Sequence, residues 1–210
     1  MCGFAIDSSK IDELKKIGVK DSKELSERRR EQLEIKLRQM ADGILVIKVS
    51  ASDIDKLRSE TNLNRIEAKR MCEIINSVEC DKVFLDSIEA NTEKFRREII
   101  AGLNAKLKEN IKNKRLDIIS ENFADKRYPV VGAASIIAKV ERDRDVAEIR
   151  KEYGDFGSGY SSDPRTIKFL KDWIKKNKMY PSFVRWSWIT AKEIKKEHDQ
   201  KNLKTFMEKD

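Results

Sequence analysis

The chain has 210 residues, of which 39% are charged and 39% hydrophobic, and its formal net charge is +8. Three cysteines without a C-x-x-C pair, and a single histidine (His198), exclude a Cys/His zinc site and a His-based triad. The longest apolar run is too short to cross a bilayer, so we expect a cytoplasmic protein with reduced thiols and no membrane partner. The excess of positive charge suits a polyanionic partner such as nucleic acid.

Apolar patterning predicts alternating strands and helices along the first part of the chain. Short apolar runs rich in β-branched residues predict strands at 1–6, 44–49, 83–86 and 116–119. Apolar residues three and four positions apart predict the main helices at 26–40, 63–78, 92–111 and 129–150. This alternation indicates an α/β fold, in which helices pack against a sheet.

Beyond residue 150 the pattern predicts helices only. Glycines mark a loop near residue 157, and Asp163 followed by Pro164 predicts the N-terminus of a helix that carries Trp173. A last helix is predicted around 186–194, before a charged stretch. We therefore predict an α/β domain at 1–150, a C-terminal helical region at 151–192 and a charged tail at 193–210.

Two carboxylates stand at predicted strand ends. Asp86 terminates an apolar strand, and Asp125 closely follows the next one. Carboxylates in this position can hold hard divalent cations against phosphate oxygens. The alternative is structural, because Asp also caps turns readily.

The segment around Asp125 adds context to this choice. Residues 125–143, DKRYPVVGAASIIAKVERD, closely resemble the hallmark segment of type 2 ribonucleases H, the ribonuclease HII family. Four shorter motifs agree with the family in order along the chain: DSK at 21–23, TNLN at 61–64, LDS at 85–87 and GSGYSSDPRT at 157–166. The last motif is similar to a loop of archaeal and eukaryal members. The resemblance therefore identifies an archaeal-type member over about residues 1–192.

This resemblance implies a ribonuclease H-like mixed sheet flanked by helices, with a C-terminal helical extension, in a monomeric protein. It implies an endonuclease that cleaves the RNA strand of RNA–DNA hybrids and cuts at ribonucleotides embedded in duplex DNA. Such enzymes use two divalent metals, Mg²⁺ or Mn²⁺, held by four carboxylates. Carried over to this sequence, Asp86 and Asp125 are catalytic metal ligands.

Other residues of these motifs correspond to substrate contacts in the family. Tyr160 corresponds to the tyrosine that stacks beside the ribose at an RNA–DNA junction, and the alternative is a packed loop aromatic. Lys139 and Arg142, a helical turn apart, correspond to phosphate contacts, and the alternative is a solvated basic face. Ser22 and Lys23 are candidate backbone contacts to the nucleic acid.

One motif of the family does not occur in the sequence. Members open with Asp-Glu-Ala-Gly-Arg-Gly, which supplies two metal ligands and the clamp for the ribose 2′-hydroxyl, and this string is absent here. Residues 1–6 align with the strand that follows it. We therefore expect the first central strand to be missing from the chain as given and its cleavage to be impaired.

The C-terminal tail contains a second motif. Residues 200–207, QKNLKTFM, resemble the peptide that docks on the replication sliding clamp, with anchors at Gln200, Leu203, Phe206 and Met207. Met207 stands where a second aromatic residue is usual. The alternative is a solvated end, although Leu and Phe in a charged tail favour a partner.

Three functions follow from these observations. The leading prediction is a ribonuclease HII endonuclease, and the second is a related protein that binds hybrid duplex without cutting it. The third is an unrelated basic binding module. The strand-end carboxylates argue against the third, because binding to phosphates needs positive charge rather than acids.

Overall fold

The computed structural model describes residues 1–19 and 24–207, with side chains through Gln200. The strands are β1 (Cys2–Ala5), β2 (Gly43–Val46), β3 (Lys82–Asp86) and β4 (Asp117–Glu121). The helices are α1 (Ile11–Lys16), α2 (Glu27–Met40), α3 (Ala51–Leu57), α4 (Leu63–Asn76), α5 (Thr92–Gly102), α6 (Ala105–Lys112), α7 (Ala124–Arg127), α8 (Pro129–Tyr153), α9 (Pro164–Lys176) and α10 (Ile189–Met207). The order of these elements confirms the predicted α/β class.

The chain divides into two compact units. The first comprises residues 1–48 and 62–143 and contains the four described strands. The second comprises residues 49–61 and the chain from residue 144 onward, and its described elements are helical. The segment 49–61, which includes α3, therefore belongs with the C-terminal part of the chain.

The strands of the first unit form one antiparallel and one parallel pair. β1 and β2 are antiparallel, with Cys2 opposite Val46. β3 and β4 are parallel, with Asp86 opposite Glu121. The parallel and antiparallel pairing of a mixed sheet are thus both present. Within the described residues, the two pairs form two separate two-stranded ladders.

Two apolar clusters stabilise the first unit. One is built from α4, α5, α6 and the β3–β4 ladder, and its buried members are Ala68, Cys72, Ile75, Leu85, Phe95, Ile99, Leu103, Leu107, Leu116 and Ile118. The other is built from α1, α2 and α8, and its buried members are Leu14, Leu33, Leu37, Ala133, Ile136, Ile137 and Val140. Helix α4 also approaches β1 closely, because a Cβ on Gly3 would lie 2.3 Å from the Ile74 side chain.

The predicted helix at 92–111 is wrong in one respect, because the structure has two helices there. α5 ends at Gly102, and Asn104 begins α6 by accepting a hydrogen bond from the Leu107 amide at 2.9 Å. The Asn104 amide in turn donates to the Asn76 side chain at the end of α4, also at 2.9 Å. An Asn at this position stabilises a helix start more than a helix interior, which explains the break.

The second unit has its own apolar cluster. Leu170, Ile174, Val184 and Ile194 are its buried members, and rings of Tyr153, Phe156, Phe169, Trp173 and Phe183 pack beside one another. The last helix is longer than predicted, since α10 runs from Ile189 to Met207. Ile194, which the sequence places in the charged tail, is thus part of a core.

The three thiols are free, as the sequence predicts. Burial raises the pKa of Cys2 to about 11, and it also raises the pKa of Cys72 and of Cys80. Among the described helices, none combines the length and apolar character needed to cross a membrane.

Candidate active site

Asp86 contacts the backbone of the residue that precedes Asp125, at one turn of the first unit. Asp86 is the last residue of β3, and its Oδ1 accepts a hydrogen bond from the Ala124 amide at 3.0 Å. Ala124 is fully buried and begins α7, and Asp125 follows it with 9% of its surface exposed. The parallel register of β3 and β4 brings these chain segments together, so the sequence distance between the acids is closed by strand pairing.

The residues that join β4 to α7 form a tightly held turn, here called the carboxylate turn (residues 121–125). The Asn122 side-chain amide donates to the carbonyls of Ser87 and Glu89 at 3.2 and 3.0 Å. The Ser87 amide donates to the Glu121 carbonyl at 2.8 Å. Between these contacts, Phe123 adopts the left-handed conformation, with φ 59° and ψ 35°. The turn is therefore fixed on both sides of Phe123.

Glu121 is a third acid at this turn that sequence reasoning missed. Its carboxylate accepts hydrogen bonds from the Tyr128 hydroxyl at 2.8 Å and from Arg127 at 2.5 Å. These hydrogen bonds, together with the Arg127 charge, hold the pKa of Glu121 below its usual value. The signal that could have found it is its register position opposite Asp86, which depends on strand pairing.

The donor set at the carboxylate turn suits a hard divalent cation. Mg²⁺ is commonly bound through one or two carboxylates, with waters and substrate phosphate oxygens completing the shell. Asp86 and Asp125 are the two carboxylates that the sequence predicts for this role. Among the described residues there is no group of three or more His, Cys, Asp or Glu side chains placed to hold a metal ion. The four-carboxylate set implied by the family resemblance is therefore not assembled by these residues.

Tyr160 lies on a glycine-rich loop of the second unit, residues 156–166, here called the tyrosine loop. Its side chain is 50% exposed. The Asp163 carboxylate accepts hydrogen bonds from the amides of Ser158 and Arg165 at 2.7 and 2.8 Å. Hydrogen bonds from the Ser158 hydroxyl and amide, and from the Arg165 amide, lower the pKa of Asp163 to about 2. The carboxylate is thus an ionised cap of this loop at neutral pH.

A buried threonine closes the tyrosine loop from the other side. Thr166 is 3% exposed, and its hydroxyl accepts from the Gly159 amide at 3.1 Å and donates to the Phe156 carbonyl at 2.9 Å. Gly157 has φ 78°, and a Cβ there would lie 2.7 Å from Arg165 Cβ. Glycine is therefore required at position 157 by conformation and by space.

Lys139 and Arg142 of α8 are held by a shared carboxylate that sequence reasoning did not assign. Asp143 accepts from Lys139 at 2.5 Å, from Arg142 at 3.3 Å and from Arg30 of α2 at 3.0 Å. Burial opposes ionisation of Asp143, but the hydrogen bonds and charges of Lys139 and Arg30 outweigh it and lower its pKa. The two predicted phosphate contacts are thus grouped on one face of α8 near the start of α2.

The remaining predicted site residues lie wholly or partly outside the described structure, except for Gln200. Ser22 and Lys23 are outside the described residues. Gln200 is exposed on α10, and the backbone of residues 203–207 continues that helix. The side chains of Leu203, Phe206 and Met207 are outside the described part.

Comparison with known proteins gives concordant matches. A family model described as Ribonuclease HII matches residues 1–191. The ribonuclease HII of Methanocaldococcus jannaschii is 41% identical, over 97% of this chain and 90% of the relative. A crystal structure of ribonuclease H2 from Pyrococcus horikoshii has a TM-score of 0.82 at 38% identity, covering 91% of this chain and 87% of that one. A structure of the PCNA:RNase HII complex from Archaeoglobus fulgidus has a TM-score of 0.77 at 38% identity, covering 92% and 86%.

Proposed function

This chain belongs to the ribonuclease HII family of ribonuclease H endonucleases, and from that premise we infer that its carboxylate turn is where RNA–DNA hybrids are cut. We also infer that it cuts at ribonucleotides embedded in duplex DNA. The observation that supports this proposal is the hydrogen bond from the Ala124 amide to Asp86, because Ala124 immediately precedes Asp125 in the chain. Carboxylates at the ends of strands are typical ligands of hard divalent cations.

The roles of these two residues follow from their surroundings. Asp86 uses one carboxylate oxygen to fix the turn, and its other oxygen can act as a ligand. Asp125 is largely buried, so its carboxylate is held in position rather than free to rotate in solvent. A divalent cation bound here would neutralise charge that develops on the scissile phosphate and favour ionisation of the attacking water. Mg²⁺ and Mn²⁺ fit these oxygen donors, and a two-metal site would need further ligands beyond this pair.

Contacts to the nucleic acid are proposed for three other residues. Tyr160 presents a half-exposed ring on a loop capped by Asp163, which suits stacking beside a ribose at a junction. Lys139 and Arg142 would contact phosphates of the nucleic-acid backbone. On binding, these contacts would replace part of their ion pairing with Asp143. In this scheme the predicted α/β domain (1–150) carries the chemistry and the helical region (151–192) carries the junction contact.

A binding protein without cleavage is the second candidate function, and one observation favours it. The described residues include no group of three or more His, Cys, Asp or Glu side chains placed to hold a metal ion, and the 210 residues contain no Asp-Glu-Ala-Gly-Arg-Gly segment. With fewer ligands for the cation, we expect hybrid binding to persist and cleavage by residues 1–210 to be slower than that of a relative containing the segment.

The direct test compares three labelled duplexes of the same sequence: an RNA–DNA hybrid, DNA with one ribonucleotide, and DNA alone. Cleavage is measured in Mg²⁺, Mn²⁺ and EDTA, and binding is measured in parallel by fluorescence anisotropy. Cation-dependent cleavage of the first two duplexes supports the enzyme. Binding of hybrid without cleavage in either cation supports the second candidate, and failure to bind hybrid contradicts both.

The end of α10 is proposed to bind a sliding clamp. The Archaeoglobus fulgidus relative has been seen in a complex with PCNA, and this chain carries a clamp-like peptide at residues 200–207. Gln200 is exposed, as an anchor on the surface must be. A short peptide of this kind gives affinities near micromolar, about −8 kcal/mol.

Calorimetry of the full chain with the clamp of the same organism tests this partner. Replacing Leu203 and Phe206 by Ala should remove measurable binding, because each buried large side chain contributes roughly 1.5–3 kcal/mol. Glu197→Ala, on an exposed position earlier in α10, is the matched control and should bind as the wild type does. Equal heats for the double variant and the wild type would contradict the proposal.

A further inference from the structure

Phe123 combines two features that are unfavourable in the isolated protein. Its side chain is 71% exposed, and its backbone is left-handed at φ 59°. A phenyl ring left in water forgoes the stabilisation that burial would provide. Left-handed backbone is also costly for residues other than glycine, and Asn and Asp tolerate it better than Phe does.

The turn itself does not require a phenyl ring. Its shape is set by neighbours, since Asn122 is held by the carbonyls of Ser87 and Glu89, and Ala124 is held by Asp86. Gly or Asn at position 123 would satisfy the same backbone with less strain. The ring therefore contributes little to folding, and its function must be sought in what it contacts outside the chain.

Position 123 adjoins the proposed reaction centre. Phe123 precedes Ala124, whose amide is bound to Asp86, and Asp125 is the next residue. A phosphate group bound at these carboxylates would place the neighbouring nucleotides alongside the turn. The shallow minor groove of an A-form-like duplex exposes sugar faces, which are apolar enough to pack on an aromatic ring.

We propose that Phe123 packs against the sugar face of a nucleotide next to the scissile phosphate and so acts as a substrate-contacting residue of the carboxylate turn. This inference rests on the proposed function of Asp86 and Asp125. It assigns a substrate contact that is apolar, in addition to the charged contacts of Lys139 and Arg142. The left-handed backbone at Phe123 then serves to project the ring away from the core and toward the duplex.

The test measures the affinity of a fluorescein-labelled RNA–DNA hybrid by anisotropy in EDTA, over a series of salt concentrations. Phe123→Asn is the informative variant, because it suits the left-handed backbone and removes only the ring. We expect its affinity to fall on the order of 5- to 10-fold, the effect of losing about 1 kcal/mol of apolar contact. Phe123→Trp should bind within about twofold of the wild type, because its ring can pack on the same surface.

Two controls separate a substrate contact from other effects. The slope of log affinity against log salt should be unchanged in Phe123→Asn, because no phosphate-neutralising charge is removed. Ile35→Asn, at an exposed apolar residue of α2, should leave affinity unchanged. In cleavage assays the Phe123→Asn loss should appear in KM rather than kcat.

The outcomes distinguish this inference from the proposed function. Wild-type affinity in Phe123→Asn, with the wild type itself binding hybrid, overturns the Phe123 contact and leaves the carboxylate assignment intact. A matching loss in Phe123→Trp and Phe123→Asn also overturns it, because a general disturbance of the turn would then explain both. A wild type that fails to bind hybrid removes the proposed function and this inference together.

Discussion

The carboxylate turn and the tyrosine loop both present an exposed aromatic ring from a tight, left-handed segment, but they are stabilised differently. In the tyrosine loop the left-handed positions are glycines, Gly157 at φ 78° and Gly159 at φ 72°. In the carboxylate turn the left-handed position is Phe123 itself, at φ 59°. Glycine adopts this conformation without steric strain, whereas Phe does not.

The groups that hold the two segments also differ. The tyrosine loop is held by Asp163 and Thr166, neither of which has a role in the proposed chemistry. The carboxylate turn is held by Asp86, which is also a proposed metal ligand. Shape and chemistry are therefore carried by separate residues in one segment and by the same residue in the other. Replacing Asp86 should therefore affect both the shape of the turn and the proposed metal binding. Different substitutions can separate these two effects.

The largest effect is expected from removing a carboxylate charge at the turn. Asp125→Asn and Asp86→Asn should each lower hybrid cleavage by at least about 100-fold, since bound metal supplies several kcal/mol of transition-state stabilisation. Hybrid binding should be retained or tightened, because repulsion of phosphate is reduced. Asp117→Asn, at the exposed start of β4, is the control and should keep wild-type rates. Wild-type cleavage by Asp125→Asn would show that the assignment is wrong.

Two substitutions of Asp86 separate its support of the turn from its negative charge. Asn keeps an oxygen that can accept the Ala124 amide, whereas Ala leaves that amide without its acceptor. Both variants should lose cleavage, but Asp86→Ala should lower the free energy of unfolding by about 1–3 kcal/mol more than Asp86→Asn. Urea denaturation measures this difference. Equal stability of the two variants would mean that Asp86 does not hold the turn.

Gly157 of the tyrosine loop and Gly154, which precedes the loop, have the same conformation and form a matched pair. Gly154 has φ 79° with no atom within 4 Å of an added Cβ, whereas Gly157 has φ 78° and would meet Arg165 and Asp163. Ala at either position incurs about 1 kcal/mol of left-handed strain. Gly157→Ala should be less stable by roughly a further 1–3 kcal/mol because of crowding. Equal unfolding free energies for the two variants would contradict the geometry of the loop.

The loop should also respond to acid. The pKa of Asp163 is lowered to about 2, so its stabilising effect is complete above its unfolded pKa near 3.8 and is lost as pH falls through about 2. The difference in unfolding free energy between wild type and Asp163→Asn should therefore be constant above about pH 5 and shrink between pH 4 and pH 2. A constant difference over that range would show that the carboxylate does not cap the loop in its ionised form.

The smallest effect concerns the strain at the carboxylate turn. Phe123→Gly removes both the left-handed strain and the exposed ring, at the cost of a more flexible unfolded chain. We expect a gain of a few tenths to about 1 kcal/mol in unfolding free energy, in contrast to the loss at Gly157. A clear loss of stability would mean that the ring of Phe123 packs on the protein itself.

The sequence predicts these two segments unequally. The glycines around Tyr160 and the Asp163–Pro164 pair carry local signals, and the structure has the loop and the α9 N-terminus where they indicate. Phe123 carries no such signal, because its conformation is imposed by hydrogen bonds from its neighbours Asn122 and Ala124 to residues at the end of β3. Sequence patterning places Asp86 at the end of a strand, but the pairing that brings it to the Ala124 amide depends on strand register.

Other misses have the same physical origin. The partner of Lys139 is a neighbour on its own helix, Asp143, but the link from Asp143 to Arg30 joins residues far apart in sequence. The helix break at Asn104 was hidden because residues on both sides of it keep the same apolar spacing. Local patterns predict elements well, whereas contacts between elements require the folded chain.

The raised pKa values of the native thiols have a practical consequence for labelling. Burial raises the pKa of Cys2 to about 11 and also raises the pKa of Cys72 and of Cys80, so these thiols are almost entirely protonated at pH 7. Maleimides and similar probes react with the thiolate. A cysteine introduced at the exposed Met179 should therefore be modified well before the native three. A fluorophore can thus be attached at one chosen point of the second unit while all three native cysteines are retained.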